Sequence, residues 1–392
     1  MTDIKITDEI KLRVEQVRRR MLELGAQALL VADASNIYYL SERVFRGFVY
    51  LDLVNDPVYC IIRPNNLHGD AVEFIRKPEL IPEVLQKRGI NLPDSVALEL
   101  DDLPYSEVLR LSAVFHTDAP QNASVILREA RMVKTPKEIE TMKADGVRQA
   151  AAYSRIPHIY KEDMTDIEFQ IEIERVLRLE GCLGYYRTSG RLMEINMGSV
   201  LNGENADAPT PYDFAVGGGG ADLSLPVGAD GRTMKPGTTV MVDMCGNFNG
   251  YQTDMTRVWS IGSVPDLALK AHDASRKILR VLEKEARPGV ATSALYEMAM
   301  DVVRESGLEK YFMGHTQHAA FVGHGVGIQL NELPVITPRS KHLLEQNMTI
   351  ALEPKFVIPH VGAVGVENTY LVTPDGLRSL TEFPEEIQDL AQ

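Results

Sequence analysis

Residues 240–262, VMVDMCGNFNGYQTDMTRVWSIG, constrain the fold of this chain more than any other stretch. Asn249-Gly250 between two apolar-rich runs is a strong short-range hairpin signal. A loop of residues 247–250 places Asp243 directly opposite Asp254, whereas a two-residue turn at 249–250 makes them diagonal neighbours. In either register they share a face, with Cβ atoms roughly 5–8 Å apart. Two like charges on one face of a Val- and Met-rich hairpin destabilise it unless a cation lies between them. The competing expectation is an edge strand that turns both aspartates to solvent.

Three further residues favour the cation. His324 lies in FVGHGVGIQLNELP, flanked by Gly323, Gly325 and Gly327, residues that let backbone approach closely beside a site. Glu353 ends the apolar run TIALE, and Glu367 interrupts AVGVENTYLV. An acid in such a strand calls for a partner. A faint internal repeat connects the five. Helix-like segments start near Thr165 and Thr292, each ending at a glycine; TVMVD (239–243) and TIALE (349–353) follow, and a second acid comes 11 residues after Asp243 and 14 after Glu353. Two halves that each supply two carboxylates to one centre predict a pseudo-symmetric site for Mn, Co, Fe or Zn.

The rest of the chain predicts two domains. Ile10, Val14, Val17 and Met21 recur at helical spacing and Gly25 closes that pattern. AQALLVA (26–32), FVYLDL (48–53), PVYCIIRP (57–64) and VALEL (96–100) read as strands, giving an α/β N-terminal domain over residues 1–130. Thr135-Pro136-Lys137-Glu138 is a capping box with proline at the first helical position, which opens a second domain over 131–392. With 44% hydrophobic residues the chain can bury full cores. A net charge of −14 argues against nucleic acid or an anionic membrane as partner. Three scattered cysteines, Cys60, Cys182 and Cys245, form no CxxC pair; with neither a signal-peptide core nor a membrane-length apolar run, the expected location is cytoplasmic.

The order Asp243, Asp254, His324, Glu353, Glu367, with spacings of 11, 70, 29 and 14, resembles the pita-bread metallopeptidases, in particular their prolidase and aminopeptidase P branch. TDMTR (253–257), GHGVG (323–327), LEP (352–354) and VENTYLVTPDG (366–376) carry the likeness, and the N-terminal part is similar to that branch's creatinase-type domain. The resemblance implies an α+β pita-bread catalytic domain with a pseudo-two-fold repeat. It also implies two divalent metal ions: Asp243 on one, His324 and Glu353 on the other, and Asp254 and Glu367 bridging. Glu353 would then be the proton acceptor, a short peptide or small molecule the substrate, and a homodimer the assembly. In such a dimer Arg46 and the Phe48-Val49-Tyr50 cluster would reach a neighbouring site.

The substrate contacts of that branch are replaced. Val227 and Asn331 stand where the relatives carry histidines, and Gly365 where they carry an arginine. His315, His318, Arg187, Arg191 and Asn331 are the candidates to act in their stead. Gly217–Gly220 lacks the strand and Lys-Ser/Thr helix of a phosphate loop and is expected to be a flexible loop by the site. Three functions follow: a Xaa-Pro type peptidase; a hydrolase or lyase of a small C–N compound on the same scaffold, as creatinase and ectoine hydrolase are; and a non-catalytic binding module.

Overall fold

The computed structural model describes residues 3–391. The chain divides into two compact units, Met1–Arg131 and Met132–Gln392.

In the first unit, Thr7 caps the helix Asp8–Leu24 through its hydroxyl, and Gly25 ends it in the left-handed conformation that a glycine adopts without strain. Ile10, Val14, Val17 and Met21 form its buried stripe. A mixed five-stranded sheet follows, in the spatial order Val72–Phe74, Val58–Arg63, Arg46–Asp52, Ala28–Val31, Ala97–Leu98. The strands at 28–31, 46–52 and 58–63 pair antiparallel, and the outer two are parallel to their neighbours.

Glu99, the acid within VALEL, is fully buried in this unit. It accepts the amides of Ala32 and Asp33 on Oε2 (2.5 and 2.8 Å) and the Asn36 side chain on Oε1 (2.7 Å). Burial pushes its carboxyl up to about 7, against the pull of those donors. It anchors the entry to the helix Ala34–Ser41. A Glu99→Gln change sets an NH2 group against a donor whichever way the amide turns. The expected cost is about 1–3 kcal/mol, read as earlier unfolding of the N-terminal unit in urea; an unchanged midpoint would contradict this anchoring role.

The second unit is built twice over. Helices Pro136–Tyr153 and Asp166–Leu179 lead to a sheet in the order Gln388–Asp389, Thr256–Ser260, Thr239–Met244, Gly198–Asn202. Helices Asp266–Glu285 and Thr292–Ser306 lead to a second sheet, in the order Glu332–Val335, Gly323–Gly325, Thr349–Leu352, Asn368–Thr373, Gly376–Ser379. Thr135 and Glu138 form the capping box of the first of these helices, and Thr165 and Glu168 that of the second. The correspondence is close: Thr239–Met244 lies between 198–202 and 256–260, as Thr349–Leu352 lies between 323–325 and 368–373. This is the pita-bread architecture, with an apolar core packed around the helices of 266–306 and another around Tyr153, Phe169 and Trp259.

Candidate metal centre

The carboxylate hairpin takes the diagonal register. Asp243 pairs with Thr256, and the same ladder continues through Gly246 with Thr253 and Asn247 with Gln252, so Asp254 stands two residues off Asp243's partner. The turn is held by side chains: Asn247 Oδ1 accepts the Gly250 amide (3.0 Å), and Asn249 Nδ2 donates to Asp145 (2.8 Å). Behind it, Gln149 donates to the Met244 carbonyl (2.6 Å) and accepts the Thr253 hydroxyl (2.8 Å). The Tyr153 hydroxyl accepts the Met244 amide (3.0 Å) and donates to the Met255 carbonyl (2.5 Å).

The half-repeats are tied to each other at their second acids. The Thr369 hydroxyl accepts the Asp254 amide (2.7 Å) and donates to the Asp254 carbonyl (3.0 Å). Reciprocally, the Thr256 hydroxyl donates to Glu367 Oε2 (2.7 Å) and the Thr256 carbonyl accepts the Glu367 amide (3.2 Å). Asp254-Met255-Thr256 and Glu367-Asn368-Thr369 are thus one motif used twice.

His324 sits between glycines for a steric reason. A Cβ on Gly323 would fall 2.2 Å from the Ala351 carbonyl oxygen, and one on Gly325 2.0 Å from that of Leu333. His324 Nδ1 lies 2.9 Å from the Gly325 carbonyl oxygen, which makes it the donor and leaves the Nε2 lone pair for a ligand. Nε2 lies 3.5 Å from Glu353 Oε1 and 3.9 Å from Asp254 Oδ2.

The four acids and the histidine come together in two groups whose ligand atoms lie within 4.8 Å of one another: Asp254, His324 and Glu367, and Asp243, Glu353 and Glu367. The shared residue is Glu367. Burial, then the neighbouring acids, push the carboxyls of Asp254 and Glu367 well above the usual carboxylate range, with Lys355 pulling the other way. Glu367 Oε1 is buried and, among the described residues, has no hydrogen-bond partner. An orphaned anionic oxygen beside an imidazole lone pair is what a cation would satisfy. The first group therefore fits a divalent ion.

The second group does not. Lys355, only 1% exposed, places its ammonium on Asp243 Oδ2 (2.8 Å), Glu353 Oε2 (2.7 Å) and Glu367 Oε2 (3.1 Å). Burial alone would lower its pKa; the three carboxylates more than offset this and hold it well above the usual lysine value. Lys355 is not among the residues anticipated from the sequence; its spacing of two from Glu353, at the head of the run KFVI, is the one local hint of it.

The centre opens into a cavity of about 540 Å³ lined by Asp243, Asp254, His324 and Glu353 together with Tyr212, Phe214, Phe321 and Leu330. Cys245 and Ser199, neither anticipated, also line it. Burial first, then the adjacent acids, push the Cys245 thiol well above its usual value, and it donates to Asp254 Oδ1 across 3.8 Å. Asp207 and Asp213 add two acids to the lining, and among the described residues no lysine or arginine contributes.

Of the substrate candidates, His318 and Asn331 line the cavity. Asn331 is committed at both ends, donating to the Ser189 carbonyl (2.7 Å) and accepting the Ser189 amide (2.6 Å). His318 Nδ1 lies on the Phe312 carbonyl (2.8 Å), so Nε2 remains available. His315 turns to Asp207 (3.1 Å), Arg187 stacks over Tyr185, and Arg191 is exposed; none of the three lines the cavity. Gly217 lines the cavity, but the glycine run is packed, not loose: Gly217 and Gly228 are hydrogen-bonded (2.7 Å), and a Cβ on Gly220 would fall 2.2 Å from the Leu225 carbonyl oxygen. Among the described residues no helix is long and apolar enough to cross a membrane.

Comparison with known proteins shows the family and the fold. The model of metallopeptidase family M24 matches residues 140–374, and that of the creatinase/prolidase N-terminal domain matches residues 13–133. A Xaa-Pro dipeptidase of Pyrococcus furiosus is 24% identical over 96% of this chain and 100% of its own length. One from Lactobacillus helveticus is 23% identical over 88% of each chain. Among solved structures, the Xaa-Pro dipeptidase from Bacillus anthracis superposes with a TM-score of 0.78 at 21% identity, over 97% of this chain and 99% of that one. The prolidase from Pyrococcus horikoshii gives 0.76 at 20%, over 96% and 99%.

Proposed function

Because the chain belongs to metallopeptidase family M24, which makes it a metal-dependent enzyme of the peptidase class, we propose that it cleaves the amide C–N bond of short peptides bearing a free amino terminus. In this reading residues 1–130 are the creatinase-type N-terminal domain and 131–392 the catalytic domain. Asp254, His324 and Glu367 hold an ion, with Asp243 and Glu353 completing the family's set of five. The observation that carries the assignment is the buried, unpartnered Glu367 Oε1 beside the Asp254 carboxylate and the free His324 Nε2. The donor set of oxygens with one imidazole suits Mn, Co, Zn or Fe.

When bound, a divalent ion supplies Lewis-acid polarisation of the scissile carbonyl and makes water a better nucleophile. The chain's own groups do the rest. Gly325 fixes the His324 tautomer through Nδ1, and Thr256 orients Glu367 through its hydroxyl. Glu353 lines the cavity with Oε2 held by Lys355, which leaves Oε1 to take a proton from the attacking water and pass it to the departing amine. Tyr212, Phe214 and Phe321 exclude water from the bound side chain. His318 Nε2 and the acidic lining receive a substrate ammonium, and a substrate carboxylate finds no cation among the described lining residues.

A second reading is favoured by one observation. Asn331 is consumed by Ser189, and Gly365 offers no side chain, so two of the three replaced prolidase contacts have no substitute in place. A hydrolase or lyase of a small cationic C–N compound would need neither. The two separate on a panel of free-amine peptides, their N-acetylated forms, Xaa-Pro dipeptides, and small betaines and amides, assayed after loading with Mn. Free-amine peptides are expected to turn over, and acetylation to lower kcat/KM by roughly 10–100-fold, the value of one charged hydrogen bond. Turnover of the small compounds without peptide cleavage transfers the assignment to the second reading. Equal rates on acetylated peptides would rule out recognition of the amine.

A further inference from the structure

We infer that Lys355 is a built-in cation that occupies the place of one of the family's two metal ions, so that this chain holds a single ion where its sequence promises two. The inference rests on the metal reading above and concerns the count.

Glu353 and Lys355 flank Pro354 at the break between the strands Thr349–Leu352 and Lys355–Ile358, and their side chains meet there at 2.7 Å. Lys355 opens the strand Lys355–Ile358, whose cross-strand partner at that position is Gly365. A Cβ on Gly365 would fall 2.6 Å from the Pro354 carbonyl oxygen, 2.9 Å from Lys355 Cα and 3.3 Å from Lys355 Cγ. The bare glycine lets the strand run where the lysine stem can turn under the site. Lys355 and Gly365, the position at which the family resemblance implies an arginine, thus face each other across one ladder.

The ammonium's three protons are all spent, one each on Asp243, Glu353 and Glu367. It has no donor left for a substrate and acts as a fixed charge. A metal ion drawing on the same three carboxylates would need their oxygens at about 2.0–2.2 Å, at the centre the nitrogen already caps, and would meet a like charge there. The remaining atoms point to the other group: Glu367 Oε1 is unpartnered, and His324 Nε2 is free beside Asp254 Oδ2. Each glutamate oxygen therefore has one cation, Oε2 the lysine and Oε1 the ion. In this division Asp243, which belongs only to the lysine's group, is no longer a metal ligand.

The test counts ions directly and does not depend on a substrate. The full chain is titrated with Mn(II), bound metal is measured after equilibrium dialysis, and the same samples are examined by low-temperature electron paramagnetic resonance. The wild type is expected to saturate at about one ion per chain, with the hyperfine sextet of an isolated Mn(II). Lys355→Gly, which removes both ammonium and stem, is expected to take up a second equivalent and to show the multiline signal of a spin-coupled pair. Two coupled ions in the wild type overturn the inference, as does a folded Lys355→Gly protein that still binds only one. Should that variant fail to fold, the wild-type stoichiometry and spectrum decide alone. A wild type that binds no ion at saturating Mn overturns the metal reading itself, an outcome distinct from both.

Discussion

An Asp254→Ala protein is expected to lose its metal and, with it, essentially all hydrolytic activity, while a surface change such as Asp375→Ala leaves both intact. Asp254 is buried, supplies a carboxylate to the group with His324 and Glu367, and has Cys245 and Thr369 beside it. In the proposed centre its removal takes away one of three ligands to an ion that would supply several kcal/mol of transition-state stabilisation. Activity should fall by more than about 10³-fold, and metal should dialyse away from the variant at concentrations that saturate the wild type. Because the Asp254 backbone, not its side chain, is held by Thr369, the fold is expected to survive. Retained metal and turnover in the variant would remove Asp254 from the centre.

The second large effect belongs to Glu353→Gln. The change keeps the side chain's size and one carbonyl oxygen but removes the proton acceptor and one of the three negative charges around Lys355. Turnover at matched metal loading should drop by roughly 10²–10⁴-fold with circular dichroism unchanged. Metal content must be measured on the same sample, since Glu353 Oε1 lies 3.5 Å from His324 Nε2. Near-normal turnover at full loading would pass the proton to another group lining the cavity, His318 being the first to examine.

Much of this centre could be read from the sequence because its residues break local rules. An acid at the end of TVMVD or TIALE, and glycines on both sides of a histidine, conflict with strand chemistry unless something compensates. The structure places Asp243, Glu353 and His324 around one cavity. The hairpin signal at Asn249-Gly250 allowed two registers, and the choice between them was made by contacts no local pattern contains: Gln149, Tyr153 and Asp145, each about a hundred residues away in the chain. Pattern alone also overreaches. VALEL sets an acid behind an apolar run as TIALE does, yet Glu99 is a structural anchor for two amides and an asparagine. What separates them is the company each keeps after folding. Lys355 shows the opposite failure. Its spacing from Glu353 was available, but in a run such as KFVI a lysine reads as an edge residue that reaches solvent, and only the bare Gly365 opposite it shows that it turns inward. The short strand Gly198–Asn202 and the cavity-lining Ser199 carried no signal, since GSVLN between loops has too few residues for a period to register.

The reciprocal threonine ties set rules for how this chain tolerates changes of length. Each acid is two residues from the threonine that serves the opposite half, Asp254 from Thr256 and Glu367 from Thr369. One residue inserted or deleted inside either segment slides its register by one and turns every following side chain to the other face. The acid then leaves the centre in the same stroke that withdraws the hydroxyl holding its counterpart, so a single-residue slip in one half disarms both. The long connections at 203–238 and 307–322 are tied to each other, Asp207 to His315 and Thr316 and Thr210 to Gln317, but no acid of the centre depends on their register, so they tolerate changes of length better. Divergence of this scaffold is thereby channelled into the loops that wall the cavity and away from the two short segments in which the halves hold each other's acids.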